Sequence, residues 1–208
     1  MSFIYDSQGG AYIKADCIEI AAETQKKLVK DILDENFDKE AWKQELIRLK
    51  DVVYSNRLEQ KYLVKVVAIT KNPSEYLGDV IDGKTGKPKI KKDGSIQKKS
   101  IPAHITIALK MISDGEMVDP GQKIEYVVLD THPKIKAITL KEYEEIKTYS
   151  HDYYYKRIIT PIIEILSAVY PNDLYTFFRE CLPYSDRQIT KLIEELEEED
   201  EDIDEGIL

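Results

Sequence analysis

From Ile18 onward, apolar or packing residues return every three or four positions: Ile18, Ala21, Ala22, Gln25, Leu28, Val29 and Ile32. At 3.6 residues per turn that spacing gathers them on one face, so an amphipathic helix is predicted over about 17–34. Trp42, Leu46, Leu49, Val52 and Val53 form a second stripe of the same period. Asp38 stands just ahead of it and is the expected N-cap, because its carboxylate can accept from the first free amides of a helix.

The pattern then changes. Tyr62 to Ile69 is a run rich in β-branched residues that stops at Thr70-Lys71-Asn72-Pro73, and it reads as a strand. Upstream, Gly9-Gly10 between Phe3-Ile4-Tyr5 and Tyr12-Ile13 predicts a small hairpin over residues 3–15. Pro102 is expected to open a helix through Ile105, Ala108, Leu109 and Ile112, with Gly115 closing it. Asp119-Pro120-Gly121-Gln122 has the order of a tight turn, and Ile124 to Leu129 reads as a buried strand. Helical spacing resumes near 139–147, 152–169 and 172–181, and Ser185-Asp186-Arg187-Gln188 fits a capping box for a last helix. The fold class predicted is α+β: predominantly helical, with short N-terminal strands and a small antiparallel β element.

Composition changes this picture in two places. The net charge of -9 over 208 residues is unfavourable for contact with nucleic acid, where phosphates demand Lys and Arg. Yet ten acids and no base lie between Glu194 and Glu205, and without them 30 basic residues face 29 acidic ones. The acidity therefore belongs to a tail. Conversely, seven lysines and one acid lie between Lys84 and Lys99, punctuated by Asp82-Gly83, Gly86 and Asp93-Gly94. They predict an exposed basic hairpin or flexible loop, which reads either as a nucleic-acid contact or as a solvated loop. The tail likewise reads as a solvated end, an interaction segment or a polyanion mimic.

No apolar run approaches the roughly 20 residues that span a bilayer, and residues 1–15 lack the form of a secretory signal, so a cytoplasmic protein is expected. Cys17 and Cys181 belong to no CxxC pair and are expected to be free thiols. Tyr5-Asp6-Ser7 carries one aspartate where a polymerase metal motif needs two, and Gly83-Lys84-Thr85 lacks the glycine spacing of a phosphate-binding loop. His104, His132 and His151 have no metal-ligand spacing. No catalytic residue and no cofactor are predicted on this chain.

Three stretches carry a resemblance. Asp16 to Gln25 is similar to a segment in which an aspartate leads a helix bearing Ala-x-x-Thr-Gln; Ile69-Thr70-Lys71 with Tyr76 resembles an Ile-Thr-(Lys/Arg)-x-x-x-x-Tyr segment. Pro102-Ala103-His104, Ala108, Lys110, Gly115, Pro120-Gly121, Ile124, Tyr126-Val127-Val128, Asp152-Tyr153-Tyr154 and Pro161 follow as ordered landmarks. Together they resemble the C-terminal thumb of archaeal-type family B DNA polymerases over roughly residues 10–170. The resemblance implies a helical subdomain that closes on primer-template duplex through phosphates, contacts that carry no sequence information. It implies Lys14 and Asp16 where the thumb begins, Thr70 and Lys71 against the duplex backbone, and His104 and Lys110 on a helix presented to DNA. Each also has a plain role: Thr70 and Asp16 as caps, His104 at a helix start. Tyr153, Tyr154 and Pro161 are expected in the core.

The departures are Ala15 in place of a second basic residue, Cys17-Ile18 in place of Trp-Ser, and the lysine-rich stretch, longer than the family's connection. Lying between two DNA-facing stretches, that insertion adds Lys89, Lys91 and Lys92 to the candidate contacts. The domains expected are a palm-junction β-hairpin (1–16), the thumb (17–182, with 79–100 inserted) and a C-terminal helix with the acidic tail (183–208). The chain begins with Met1 yet carries no exonuclease, palm or fingers motifs, so it reads either as the small subunit of a split polymerase or as an excised fragment. The subunit is expected, because the acidic tail has the form of a terminus and the start falls near the family's palm-thumb junction. The partners expected are a catalytic large subunit that holds Mg2+, primer-template DNA and, as a further candidate, a sliding clamp, but no membrane. The rival readings are a protein-binding regulator that uses the acidic tail and an independent DNA-binding module.

Overall fold

A computed structural model describes residues 18–132, 134–169 and 174–194. The hairpin expected over 3–15, and with it Lys14 and Asp16, lies outside the described residues, as does most of the acidic tail. In chain order the elements are α1 (Glu19–Leu33), α2 (Lys39–Tyr54), α3 (Gln60–Leu63), β1 (Lys65–Ala68), a 3-10 turn (Pro73–Tyr76) and α4 (Ala103–Ser113). Then come β2 (Lys123–Asp130), β3 (Lys136–Ile138), α5 (Leu140–Ile146), α6 (His151–Val169), α7 (Leu174–Cys181) and a last helix, α8, over 186–194. The α+β class with helices predominating is what the sequence predicted. The chain divides into two units, one made of residues 1–62 and 151–208, the other of 63–150.

The first unit is helical. α1 packs on α6, and α2 packs on α6 and α7. The stripes foreseen in the sequence are the surfaces buried: Ala21 and Leu28 of α1, Leu46, Leu49 and Val53 of α2, and Ile158, Ile159 and Ile162 of α6 are all fully buried. Each of these Leu, Val and Ile side chains stabilises the fold by about 1.5–3 kcal/mol through loss of water contact. Asp38 is the cap of α2, its Oδ1 accepting from the amides of Glu40 and Ala41 at 2.9 and 3.0 Å. The one polar atom of buried Trp42 is satisfied, since Nε1 donates to Asp31 Oδ2 at 3.1 Å. α6 runs through Pro161 even though proline cannot donate to the preceding turn. Gln25, itself 2% exposed, donates from Nε2 to the Pro161 carbonyl at 3.2 Å and so ties α1 to α6.

The second unit is a three-stranded antiparallel sheet in the order β1-β2-β3, with α4 packed on β2, β3 and the 3-10 turn, and α5 on β2. Val67 pairs with Ile124, and Val127 with Ile138. The strand predicted over 62–69 starts only at Lys65, where β2 first supplies a ladder partner, Tyr126; Leu63 is instead fully buried from the helical turn α3. β-branched content favours a strand only where a partner strand is available. Pro102 caps α4 rather than entering it, its carbonyl accepting from the amides of Ile105 and Thr106. The 119–122 turn forms as expected: Gln122 N–H donates to Asp119 O at 3.1 Å, with Gly121 at φ +92, a conformation that glycine adopts without a steric penalty.

Candidate nucleic-acid interface

The candidate residues of the second unit are carried by the end of β1, by α4 and by the segment that joins them. Ile69, 1% exposed, anchors the first: its amide donates to Gln122 O at 2.9 Å and its carbonyl accepts from Gly121 N at 2.6 Å. Asn72 then caps the 3-10 turn, its Oδ1 accepting from Ser74 N and Oγ at 3.0 and 2.8 Å. Thr70 Oγ1 and Tyr76 Oη lie 3.0 Å apart. The Thr and Tyr of the Ile-Thr-Lys motif are therefore bonded to each other, and they close a short loop with Lys71 on it. Lys71 is exposed and has no partner among the described residues, which leaves its ammonium free for an anion.

α4 carries His104 in its first turn and Lys110 in its last. Burial, and then the charge of Lys65, hold the His104 imidazole below its usual range, so it is neutral at neutral pH and offers a hydrogen-bond donor rather than a cation. Lys110 is not free. Its ammonium is paired with the Glu142 carboxylate, which also accepts from Thr139 N and Oγ1 in the capping box of α5. Lys110 first, and then the Thr139 amide, hold the Glu142 carboxyl below the usual range. A phosphate at Lys110 has to compete with an ion pair already made. The Thr139-x-x-Glu142 spacing is a capping-box pattern legible in the sequence, and the reading by residue type passed over it.

The lysine-rich segment is neither a simple hairpin nor an open loop. Ile81 bridges Pro88, Ile90 bridges Ile96 and Asp79 bridges Lys98, so residues 78–82, 87–91 and 95–99 each pair with the other two. Its turns are fixed by carboxylates. Asp82 Oδ1 accepts from Lys84 N and Thr85 N, both at 2.9 Å, and Asp93 Oδ1 accepts from Ser95 N at 2.9 Å and Ser95 Oγ at 2.7 Å. These bonds keep both carboxyls below their ordinary range. Lys89, Lys91 and Lys92 are exposed. Among the described residues the ion pair of this segment is Lys98 with Asp79, at 2.6 Å.

Residues 63–110 hold ten lysines and four acids, against five lysines and eight acids in 111–150. The candidate residues Thr70, Lys71, Lys89, Lys91, Lys92, His104 and Lys110 thus share the basic part of the unit. Among the described residues no group of three or more His, Cys, Asp or Glu could hold a metal ion, and no helix is long and apolar enough to cross a membrane. Thr24 and Gln25 of the leading motif are buried: Thr24 Oγ1 donates to Ile20 O at 2.7 Å, and Gln25 reaches Pro161. Pro161 is buried with it, as is Tyr154, while Tyr153 is half-buried edge-on to Tyr154 at 5.1 Å. Residue types alone gave no sign that two landmarks 136 positions apart meet.

No protein-family profile matches the chain. It is similar to three curated proteins named DNA polymerase. The protein of Thermococcus aggregans is 33% identical over 169 residues, which is 78% of this chain and 8% of that protein. The protein of Thermococcus litoralis is 28% identical over 191 residues, 89% of this chain and 10% of that protein. That of Pyrococcus horikoshii is 28% identical over 169 residues, 78% of this chain and 12% of that protein. The chain spans about a tenth of the length of these relatives.

Proposed function

The chain is related to one segment of archaeal DNA polymerases, and from that premise we propose that it is the thumb of a family B enzyme, acting as a non-catalytic subunit that grips primer-template duplex for a separate catalytic subunit. The observation that carries this reading is the loop Ile69–Tyr76. Its buried isoleucine, its Thr70–Tyr76 bond and its Asn72 cap preorganise an exposed lysine within the segment that matches polymerases. Holding a cation in place before the ligand arrives reduces the entropy lost on binding.

In this reading Lys71 takes a backbone phosphate, Thr70 shapes the loop, and His104 donates one neutral hydrogen bond. Lys89, Lys91 and Lys92 extend the grip along the duplex. None of these contacts reads a base, as replication of any template requires. The carboxylates, the Mg2+ ions and the incoming nucleotide belong to the catalytic partner, and this chain supplies positioning and processivity.

The test is to mix the chain with a candidate catalytic subunit and to measure primer extension and product length. Longer products on adding the chain are expected. Duplex binding without stimulation would instead make the chain an independent DNA-binding module, and neither activity would leave a protein-binding regulator. Lys71→Ala is expected to weaken duplex binding about equally on all sequences and to reduce the salt slope by about 1. An unchanged slope would remove Lys71 from the phosphate contacts.

A further inference from the structure

The three bridges within 78–99 sort its side chains into two sides. Bridge partners lie on the same side of paired chains, and side chains two positions apart return to that side. Asp79 with Lys98, Ile81 with Pro88 and Ile90 with Ile96 therefore share one side, since 79 and 81, 88 and 90, and 96 and 98 are each two positions apart. By the same alternation Lys87, Lys89, Lys91 and Lys99 fall on the other. The first side is aliphatic and carries no net charge, because its two charged groups pair with each other: Lys98 Nζ donates to Asp79 Oδ1 at 2.6 Å. Ile81, Ile90 and Ile96 are 53%, 71% and 44% exposed there. No residue from 77 to 101 is buried, so among the described residues these isoleucines serve no core.

Phosphate contacts engage the lysine side and leave the isoleucines in water. A cluster of exposed aliphatic side chains with no core to serve marks a surface that another protein covers. A second copy of this chain is a poor occupant. A stable self-interface removes about 800 Å² from each partner, more than three part-exposed isoleucines and a proline supply. The isoleucine side fits instead as one anchor within a larger interface. Its occupant is aliphatic and uncharged, because the Asp79–Lys98 pair leaves no charge for a charged group to meet. We propose that the isoleucine side of 78–99 docks an aliphatic, uncharged patch of the catalytic subunit, while the lysine side stays open to duplex; the identity of this partner rests on the subunit reading above. Duplex held by the lysines is thereby tied to the subunit that extends it.

The test separates the two sides. Association of the full-length chain with the candidate catalytic subunit is measured by sedimentation without DNA, and duplex binding is measured on the chain alone. Each measurement is repeated on I81S/I90S/I96S and on K89Q/K91Q. The isoleucine variant is expected to associate about tenfold more weakly, the loss typical of truncated interface anchors, and to bind duplex as before, which also shows that it is folded. K89Q/K91Q is expected to do the reverse, with weaker duplex binding, a lower salt slope and unchanged association. If I81S/I90S/I96S loses both activities, the single variant I90S decides by the same comparison. Association as strong in the isoleucine variant as in the unmodified chain overturns the docking and leaves the subunit reading standing. Absence of association in the unmodified chain removes that reading, and the docking with it. Loss of duplex binding alone in the isoleucine variant assigns these residues to nucleic acid, and self-association that the same substitutions abolish assigns them to a second copy; either result overturns the proposal.

Discussion

The helical unit and the segment 78–99 are held together in opposite ways. In the helical unit, stripes on α1, α2 and α6 bury whole aliphatic side chains, and polar groups such as Trp42 Nε1 find partners within the packing. In 78–99 no residue is fully buried; backbone bridges and two aspartate-fixed turns hold the chain, and its lysines, Ile81, Ile90 and Ile96 face water. Packing makes the first unit costly to alter. Apart from Asp82 and Asp93, which fix the turns, the second region depends little on its side chains for its fold, and its lysines and isoleucines are left available for contact.

The sharpest way to break this contrast is to truncate one aliphatic residue in each region. Leu46→Ala removes a fully buried side chain and is expected to destabilise by about 2–5 kcal/mol, read as a lower denaturant midpoint. Ile90→Ala, at a residue 71% exposed, is expected within about 0.5 kcal/mol. Equal losses would mean that 78–99 has a core of its own.

Smaller effects sharpen it. Asp38→Ala removes the cap of α2 and is expected to cost about 1 kcal/mol in the same measurement. Gln25→Met is expected to change stability by no more than about 1 kcal/mol, because it loses the bond to Pro161 O but also removes Oε1, a buried acceptor with no partner among the described residues. A larger loss would make the α1–α6 hydrogen bond, rather than the surrounding aliphatic packing, the main tie.

The smallest effect expected is the pH dependence of the Lys110–Glu142 pair. Glu142 is held below its ordinary value of 4.5 in the folded chain, so its contribution is complete above that pH and is lost as pH falls through the lower folded value. The stability gap between the unmodified chain and Glu142→Gln, no more than about 1 kcal/mol for so exposed a pair, should close on acidification below 4.5. A gap that widens there would assign the depression to another group.

Local signals decided much of this protein. The three- and four-residue spacing of Ile18 to Ile32 and of Trp42 to Val53, the Asp38 cap, the Pro120-Gly121 turn and the concentration of lysine between 84 and 99 are written within a few residues of one another. A helix stripe, a cap or a turn depends on near neighbours, so it can be read without the fold. So can the order of the polymerase-like landmarks.

Tertiary structure alone decided what distant residues do to each other. Only a partner strand fixed the start of β1 at Lys65, only packing brought Gln25 to Pro161, and only the approach of α5 turned Lys110 toward Glu142. Within 78–99 the bridges Ile81–Pro88 and Ile90–Ile96 close across the turns that Asp82-Gly83 and Asp93-Gly94 announce locally, whereas the bridge of Asp79 to Lys98, 19 positions apart, has no local signal and closes the segment on itself. Long-range partners are set by the balance of burial and hydrogen bonding over the whole unit. Among the described residues, that balance left Lys71 without a partner and gave Lys110 one, though both stand alike in the sequence.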